Sequence, residues 1–328
     1  MARFVVAITD NAFAPVEVER RLFGEIDAEV RFPERAALTE ETVVDLAADA
    51  DAILCDAAPI TRRVLEACRR VRVASEYGIG YDNIDVAAAT ELGVWVTNVP
   101  GFCTEEVADH TLAMVLALAR RLPALDRAVR AGRWGAGAAG PMRRLSSQTL
   151  GLIGFGRIGQ TAARKASALG LRVLAHSPHT TPERARPHGA EAATLDEVLR
   201  RSDYLALVAP ATPETRGLID RAALAKMKPT AYLINCGRGA LVDEAALVEA
   251  LRSGRIAGAA LDVHATEPPA PDSPLLGLEN VLLTPHAAFY SQESLADLQL
   301  SAIRNAIAVL RGEPPATPVN PEVADRAR

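Results

Sequence analysis

Lysine is almost missing from this 328-residue chain: positions 165, 226 and 228 hold three of the 36 basic side chains, and arginine supplies the other 33. Against 41 acidic residues the net charge is −5, and no basic block stands out. That balance excludes an electrostatic nucleic-acid binder. Arginine this frequent beside so much alanine reads as compositional bias, so no single arginine is a signal by itself. Cysteine is scarce too. Cys55, Cys68, Cys103 and Cys236 include no C-x-x-C pair, which excludes a disulfide scaffold and a cysteine zinc site and predicts a reducing, cytoplasmic setting. Long apolar runs are absent. The longest candidate, Thr111–Ala119, falls far short of the roughly 20 residues a membrane-spanning helix needs. The opening MARFVVAITDNAF has no signal-peptide core and breaks at Asp10–Asn11, so it reads as a first strand.

What is present is alternation. The length allows about two domains of roughly 150 residues each, enough to bury two cores without staples. Strand-like apolar runs stand at Phe4–Ile8, Ala52–Leu54, Val71–Ala74 and Val94–Thr97. Between them lie helical patterns such as Thr39–Ala50 and Thr61–Arg70, each opening on a threonine suited to capping. A helical stretch, Cys103–Arg121, carries acidic residues in its first turn, where the helix dipole favours them. Residues 131–148 are rich in Gly, Ala and Ser without periodicity and read as a loop. A second series follows, with runs at Thr149–Gly154, Arg172–Ala175, Tyr204–Val208, Ala231–Asn235, Gly258–Asp262 and Val281–Thr284. A last helix spans about Gln292–Leu310, ahead of a proline-rich tail. Strands alternating with helices predict an α/β fold built on parallel sheets.

The sharpest local motif is G-x-G-x-x-G at Gly154, Gly156 and Gly159, with the apolar run TLGLI before it and a helical run, Gln160–Leu169, after it. That context gives the motif its meaning. Gly154 permits a tight turn, Gly156 lets the backbone approach a pyrophosphate, and Gly159 allows close packing of helix on strand. The helix N-terminus then faces the anion. An acid about 20 residues on normally accepts the ribose hydroxyls of NAD. Here the strand ends at Ala175 and His176-Ser177-Pro178-His179-Thr180 follows, with Ser177 at the expected position. A neutral residue there removes repulsion toward a 2′-phosphate, and Arg184 and Arg186 stand within reach in sequence. NAD and NADP both remain open.

Further on, Asn235-Cys236-Gly-Arg238-Gly, Asp262-Val-His-Ala-Thr-Glu267-Pro and Thr284-Pro-His286-Ala each follow a predicted strand, where open α/β sheets place their ligands. Singly, each is ordinary: a solvated arginine, a turn glutamate, a packing histidine. Together they suit the reduction of a 2-oxo acid. A forked guanidinium matches a carboxylate and polarises a carbonyl. A histidine supplies the proton for the new hydroxyl, and a neighbouring carboxylate favours its charged form. In the first third, Ser75-Glu-Tyr77-Gly78-Ile79-Gly80-Tyr81-Asp82-Asn83 reads either as a main-chain nest for an anion or as a strand-to-helix turn capped by Asp82 or Asn83.

These segments resemble the D-isomer-specific 2-hydroxyacid dehydrogenase family along nearly the whole chain: GIGYDNID at 78–85, NVPGFCTEEVADHTLAM at 98–114, TLGLIGFGRIGQ at 149–160, NCGRGALVDEAAL at 235–247, GAALDVHATEPP at 258–269 and LTPHAAFYS at 283–291. The resemblance implies two Rossmann/flavodoxin-like domains with parallel sheets and a cleft between them. The catalytic, substrate-binding domain would be discontinuous, 1–99 plus 288–328, around a dinucleotide-binding Rossmann domain at 100–287. Arg238, Glu267 and His286 would be catalytic, with Arg238 on the substrate carboxylate and His286–Glu267 as acid/base. Main-chain groups of Tyr77, Gly78 and Ile79 would join Arg238 and His286 in binding substrate. Thr104, Gly154, Gly156, Arg157, Ile158, Gly159, Ser177, Pro210, Cys236, Arg238, Asp262 and His286 would contact the cofactor, Asp262 through the nicotinamide carboxamide. The implied partners are a small 2-oxo or 2-hydroxy acid and a second copy in a homodimer, with no metal, nucleic acid or membrane.

Some residues depart from the family pattern. Ser177 replaces the usual acid, which puts NAD selectivity in doubt. Cys236 replaces a small residue and reads as apolar filler rather than a nucleophile, and His264, where an aromatic is common, does not read as catalytic. The chain is expected to lack the serine-sensing domain of some phosphoglycerate dehydrogenases, although phosphoglycerate dehydrogenase activity is kept as an alternative. HAAFYSQES, GYDNID and LDVHATEP look most like the C-terminal-binding-protein branch, known for NADH-sensing corepressors. An NAD(H)-sensing dimeric binding protein is therefore the other alternative to the enzyme. Phe102, Tyr77, Phe289 and Tyr290 are expected to make the substrate pocket apolar and bulky.

Overall fold

The computed structural model describes residues 3–10 and 16–326; Asn11, half of the break expected at Asp10–Asn11, lies outside them. The chain divides into two compact units, Met1–Phe102 with Ser291–Arg328, and Cys103–Tyr290.

The first unit holds five parallel strands, β1 (Phe4–Ile8), β2 (Ala28–Arg31), β3 (Ala52–Cys55), β4 (Val73–Glu76) and β5 (Trp95–Thr97), in the order β2-β1-β3-β4-β5. The central strands are apolar because helices cover both faces. Ile53, Ala74 and Val96 face helices Glu40–Ala47, Arg62–Ala67 and Val86–Glu91. Val6, Ile8, Leu54 and Val73 face Glu17–Gly24 and Gln292–Leu310. Cys55 pairs with Glu76 across β3 and β4. Thr39 and Thr61 cap their helices through Thr42 N–H at 3.3 Å and Val64 N–H at 3.5 Å. At the helix Val86–Glu91 the cap is Asp85, which accepts Ala88 N–H at 2.9 Å. That corrects the reading of Asp82 or Asn83 as the cap: the turn runs past both before the helix begins.

The carboxyl-terminal helix reaches this unit from the far end of the chain. Ser291 and Ser294 open it as a reciprocal cap, each main-chain N–H donating to the other's hydroxyl at 2.9 Å. Its apolar stripe, Leu298, Ala302, Ile303, Ala306 and Val309, is buried. Full burial of Leu298 and Ile303 contributes about 1.5–3 kcal/mol each.

In the second unit β6 (Thr149–Ile153), β7 (Arg172–His176), β8 (Ala190–Ala192), β9 (Tyr204–Leu207), β10 (Tyr232–Asn235), β11 (Gly258–Leu261) and β12 (Val281–Leu283) form one parallel sheet in the order β12-β11-β10-β9-β6-β7-β8. The order reverses between β6 and β9, and ligands bind at the carboxyl ends beside such a reversal. Helices Thr104–Ala119 and Arg157–Ala168 pack together over β10, β6 and β7. Val198, Leu224 and Leu247, from three further helices, close a second core with Ile153, Leu205 and Leu233. Residues 131–148 carry only one short 3-10 turn, Leu145–Ser147. Among the described residues no helix is long and apolar enough to cross a membrane, and no group of three His, Cys, Asp or Glu side chains is arranged for a metal ion.

Candidate active site

The three fingerprint glycines do three different jobs. Gly154 turns the chain with φ +100°, and a Cβ there would lie 2.7 Å from the main chain of Val208 and Ala209, just beyond β9. Gly159 packs its helix on the turn, since an added Cβ would sit 2.2 Å from Gly154 O. Gly156 meets nothing within 4 Å. It caps Arg157–Ala168 without any side-chain acceptor, so no capping side chain stands between the helix N-terminus and an anion. An open approach, an uncapped helix start and the sheet reversal together fit a dinucleotide pyrophosphate.

Ser177 directly follows β7, and its hydroxyl pairs with that of Thr180 at 2.6 Å. The first acid after it is the exposed Glu183. Arg184 donates to His179 O at 2.8 Å, so the first guanidinium after Ser177 in sequence is already engaged. Pro210 lies beyond β9, its carbonyl accepting the Thr215 hydroxyl at 2.7 Å. Thr104 begins the helix Thr104–Ala119 and is half-buried.

Arg238 stands between two glycines that leave no room for side chains. A Cβ on Gly237 would lie 2.8 Å from Ala209 O, and one on Gly239 would fall 1.8 Å from His264 O. The turn after β10 is therefore clamped between the turns after β9 and β11. Asn235 ties it internally, donating to Arg238 O at 2.9 Å and accepting Gly237 N–H at 3.1 Å. One Arg238 N–H donates to Gly237 O at 3.0 Å. Cys236 is buried with its sulfur 3.7 Å from that of Met114, and burial pushes its thiol up to about 12. A thiol so far from ionisation is no nucleophile at neutral pH.

His286 lies on the turn after β12 with φ +52°, a left-handed conformation uncommon for a residue with a side chain. Asp262 holds that turn in place. Its buried carboxylate accepts the Thr284 hydroxyl at 2.5 Å and the N–H groups of Ala287 and Ala288 at 2.9 Å each, while its carbonyl accepts His286 N–H at 2.8 Å. His110 adds a contact to Thr284 Oγ1 at 3.1 Å. Such over-determination is what lets a strained conformer persist. Asp262 is thus heavily committed within the protein, whereas the sequence pointed only to a cofactor contact. His110 and Thr284 lie inside motifs quoted from the sequence, which gave neither of them a role. Their only traces are a histidine interrupting an apolar helical run and a threonine beside Pro285.

The imidazole Nδ1 lies 2.6 Å from Glu267 Oε2, and the other Glu267 oxygen accepts His264 N–H at 2.9 Å. The Glu267 hydrogen bond holds His286 above its ordinary 6.5; burial opposes this, the Glu267 charge adds to it, and the Arg238 guanidinium works against it. For Glu267 burial pulls upward, but the His286 and His264 bonds outweigh it and leave the carboxyl below its ordinary 4.5. With Nδ1 given to the carboxylate, Nε2 is the nitrogen able to exchange a proton. Phe289 meets the ring edge-on at 6.2 Å. Beside the pair lies a cavity of about 370 Å³ with Pro268, Pro269, Leu276, Leu283 and Pro285 among its walls.

In the first unit Gly78 O accepts Val99 N–H at 2.8 Å and Ile79 O accepts Asn98 Nδ2 at 2.7 Å. Among the described residues the N–H groups of Gly78 and Ile79 have no acceptor, as a main-chain anion nest requires. Tyr77, expected on a pocket wall, is instead buried in the core, its hydroxyl 3.0 Å from Glu19 Oε1. Side chains alternate across the sheet, and this one points into the layer beneath the carboxyl-terminal helix. Tyr290 is exposed.

The family model for the NAD-binding domain of D-isomer-specific 2-hydroxyacid dehydrogenases matches residues 112–288. A protein named glyoxylate reductase from Korarchaeum cryptofilum is 40% identical over 323 residues, covering 95% of this chain and 96% of its own. The crystal structure of the TT0316 protein from Thermus thermophilus superposes with TM-score 0.86 at 36% identity, over 96% of this chain and 99% of that one. A D-lactate dehydrogenase from Aquifex aeolicus, solved with NAD and lactic acid, gives TM-score 0.85 at 28% identity, over 94% and 96%. The fingerprint turn, the Arg238 clamp and the His286–Glu267 pair therefore lie in a chain that belongs to the D-isomer-specific 2-hydroxyacid dehydrogenase family.

Proposed function

We propose that this protein is an NAD(P)-dependent oxidoreductase that interconverts a small 2-oxo acid and its D-2-hydroxy acid, with glyoxylate the first substrate to try. The observation carrying this reading is the His286–Glu267 bond in the same unit as Arg238 and an open dinucleotide turn. Bound NAD(P)H supplies the hydride that reduces the carbonyl carbon. Arg238 pairs its forked donors with the substrate carboxylate and polarises the carbonyl oxygen. His286 gives its Nε2 proton to that oxygen, and Glu267 steadies the charge on the ring before transfer. In the oxidative direction the same nitrogen takes the hydroxyl proton. Gly154, Gly156, Arg157, Ile158 and Gly159 hold the pyrophosphate; Thr104, Pro210, Cys236 and Asp262 line the remainder of the cofactor site. In the first unit the N–H groups of Gly78 and Ile79 bind a carboxylate, whereas the Tyr77 N–H, expected to join them, is already given to Cys55 O at 2.7 Å.

The family's NAD-binding domain supports NAD as the cofactor, and Ser177, which leaves the ribose position uncharged, lets NADP be accepted as well. Installing a charge with Ser177→Asp should lower the NADPH-to-NADH ratio of kcat/KM about tenfold or more, since like charges at an interface cost several kcal/mol. An unchanged ratio would remove Ser177 from the ribose site. The protein is a cytoplasmic homodimer in this reading. Four buried free cysteines favour a reducing compartment, and Leu122, Val129 and Trp134 are exposed apolar surface on and after one helix.

The deciding experiment is reduction of glyoxylate, pyruvate, hydroxypyruvate, phenylpyruvate and 2-oxo-4-methylthiobutyrate with NADH and NADPH in turn, followed by loss of reduced-nicotinamide absorbance. Turnover of at least one acid is expected. Saturable cofactor binding with no turnover of any acid would replace the enzyme by a dinucleotide-sensing protein.

A further inference from the structure

Glu76 ends β4 directly before the 77–83 turn, and it is 1% exposed. Its Oε2 accepts the Cys55 thiol at 3.3 Å and the Asn83 amide at 3.1 Å. Asn83 in turn donates to Asp56 O at 3.2 Å and Ala58 O at 3.0 Å. One amide thus stitches the turn to the segment after β3. The charged groups bearing on Glu76 are Asp56, beyond β3, and Asp10, beyond β1, both of its own sign. The Asp10 carboxylate already accepts the N–H groups of Asp56 and Ala57. Among the described residues no arginine, lysine or histidine bonds to Glu76. Nothing in the chemistry proposed above uses this acid.

We propose that Glu76 is a positioning residue for carboxylate binding, holding the Gly78 and Ile79 N–H groups in place through Asn83, and that losing its proton sets a negative charge against the anion this turn receives. The inference rests on the reading of the 77–79 turn as a carboxylate site. Burial first, then the Asp56 and Asp10 carboxylates, favour the neutral acid and outweigh the Asn83 and Cys55 bonds, so Glu76 is pushed up to about 9. An ionised Glu76 would turn a negative charge toward the very groups that receive a substrate anion. Glu76→Gln keeps an oxygen acceptor for Cys55 and Asn83 and never ionises.

The test measures KM and kcat for a turned-over 2-oxo acid from pH 6.5 to 10 in the wild-type protein and E76Q, with thermal unfolding of both over the same range without substrate. Above about pH 9 the wild-type KM should rise about tenfold per pH unit relative to that of E76Q, while the ratio of their kcat values stays flat. The titration of His286 is common to both proteins and cancels in the comparison. E76Q should also gain melting temperature over wild type as pH rises. Superimposable KM profiles overturn the inference. If the stability gap is present but KM is unmoved, the 77–79 turn is not the carboxylate site; if neither moves, Glu76 is ionised in the fold.

Discussion

Two glutamates near strand ends have opposite fates. Glu267, beyond β11, shares one oxygen with an imidazole and the other with a main-chain N–H, and it is held below its ordinary value. Glu76, at the end of β4, shares its carboxyl with a thiol and a primary amide, among like charges, and is pushed up to about 9. Burial opposes ionisation in both. What differs is the partner: a group able to carry positive charge repays desolvation, and a neutral donor does not. In the proposed function the first arrangement serves proton transfer. The second, in the inference above, serves a turn that must stay free of negative charge if it is to accept an anion.

Removing the cation from the first pair is the strongest way to break the comparison. His286→Gln deletes the proposed proton donor and should lower kcat about 10²–10⁴-fold, with cofactor affinity little changed because the fingerprint turn is untouched. Steady-state kinetics beside a cofactor fluorescence titration separates the two quantities. Loss of less than about tenfold in kcat would take the proton-transfer role from His286.

The sequence carried part of this contrast and not the rest. Chemistry written in consecutive residues was legible: Gly154, Gly156 and Gly159, the turn with Arg238 between glycines, and the helix at Gln292–Leu310 with its apolar period. The core strands showed as apolar runs because both their faces are buried. Edge strands did not show, since Ala28–Arg31 and Ala190–Ala192 are half-exposed and read A-E-V-R and A-E-A. The helix Leu122–Arg130 was missed because its start depends on a left-handed Arg121 at φ +50°, which no residue preference announces. The state of Glu76 was hidden for a related reason. Its surroundings come from Cys55 and Asp10, brought together only by the strand order, and long-range pairing leaves no local periodicity to read. Asp262 shows the same limit: its strand end was foreseeable, its grip on the His286 turn was not.

Glu267→Gln sharpens the comparison by making the two acids alike in charge. The amide still accepts a hydrogen bond from His286 but no longer favours the imidazolium, and charge-assisted bonds are roughly twice as strong as neutral ones. His286 is raised in the fold, so its charged form is retained as pH climbs past 6.5 and is lost through the higher native value. Reduction needs that form. In E267Q the alkaline fall of kcat should move to lower pH, with a loss of about tenfold in slightly alkaline buffer and much less in mild acid. The stabilisation from pairing has the same sign: fully present below the ordinary histidine value and gone above the native one. A pH profile identical to wild type would mean that Glu267 does not set the proton affinity of His286.

The smallest effect lies on the other side. Glu76 is raised from its ordinary 4.5 to about 9, so between those values the unfolded chain releases a proton that the native chain keeps, and stability falls as pH rises across that window. Below about pH 4.5 both states hold the proton and the penalty vanishes; above about pH 9 it is constant. Glu76→Gln has no proton to lose. Its melting temperature should match wild type near pH 4.5 and exceed it by several degrees near pH 8, given about 2–4 °C per kcal/mol for chains of roughly this size. Scanning calorimetry at matched ionic strength reads the gap directly. The opposite slope, with wild type gaining on E76Q as pH rises, would mean that Glu76 is ionised and stabilising, and the contrast with Glu267 would collapse.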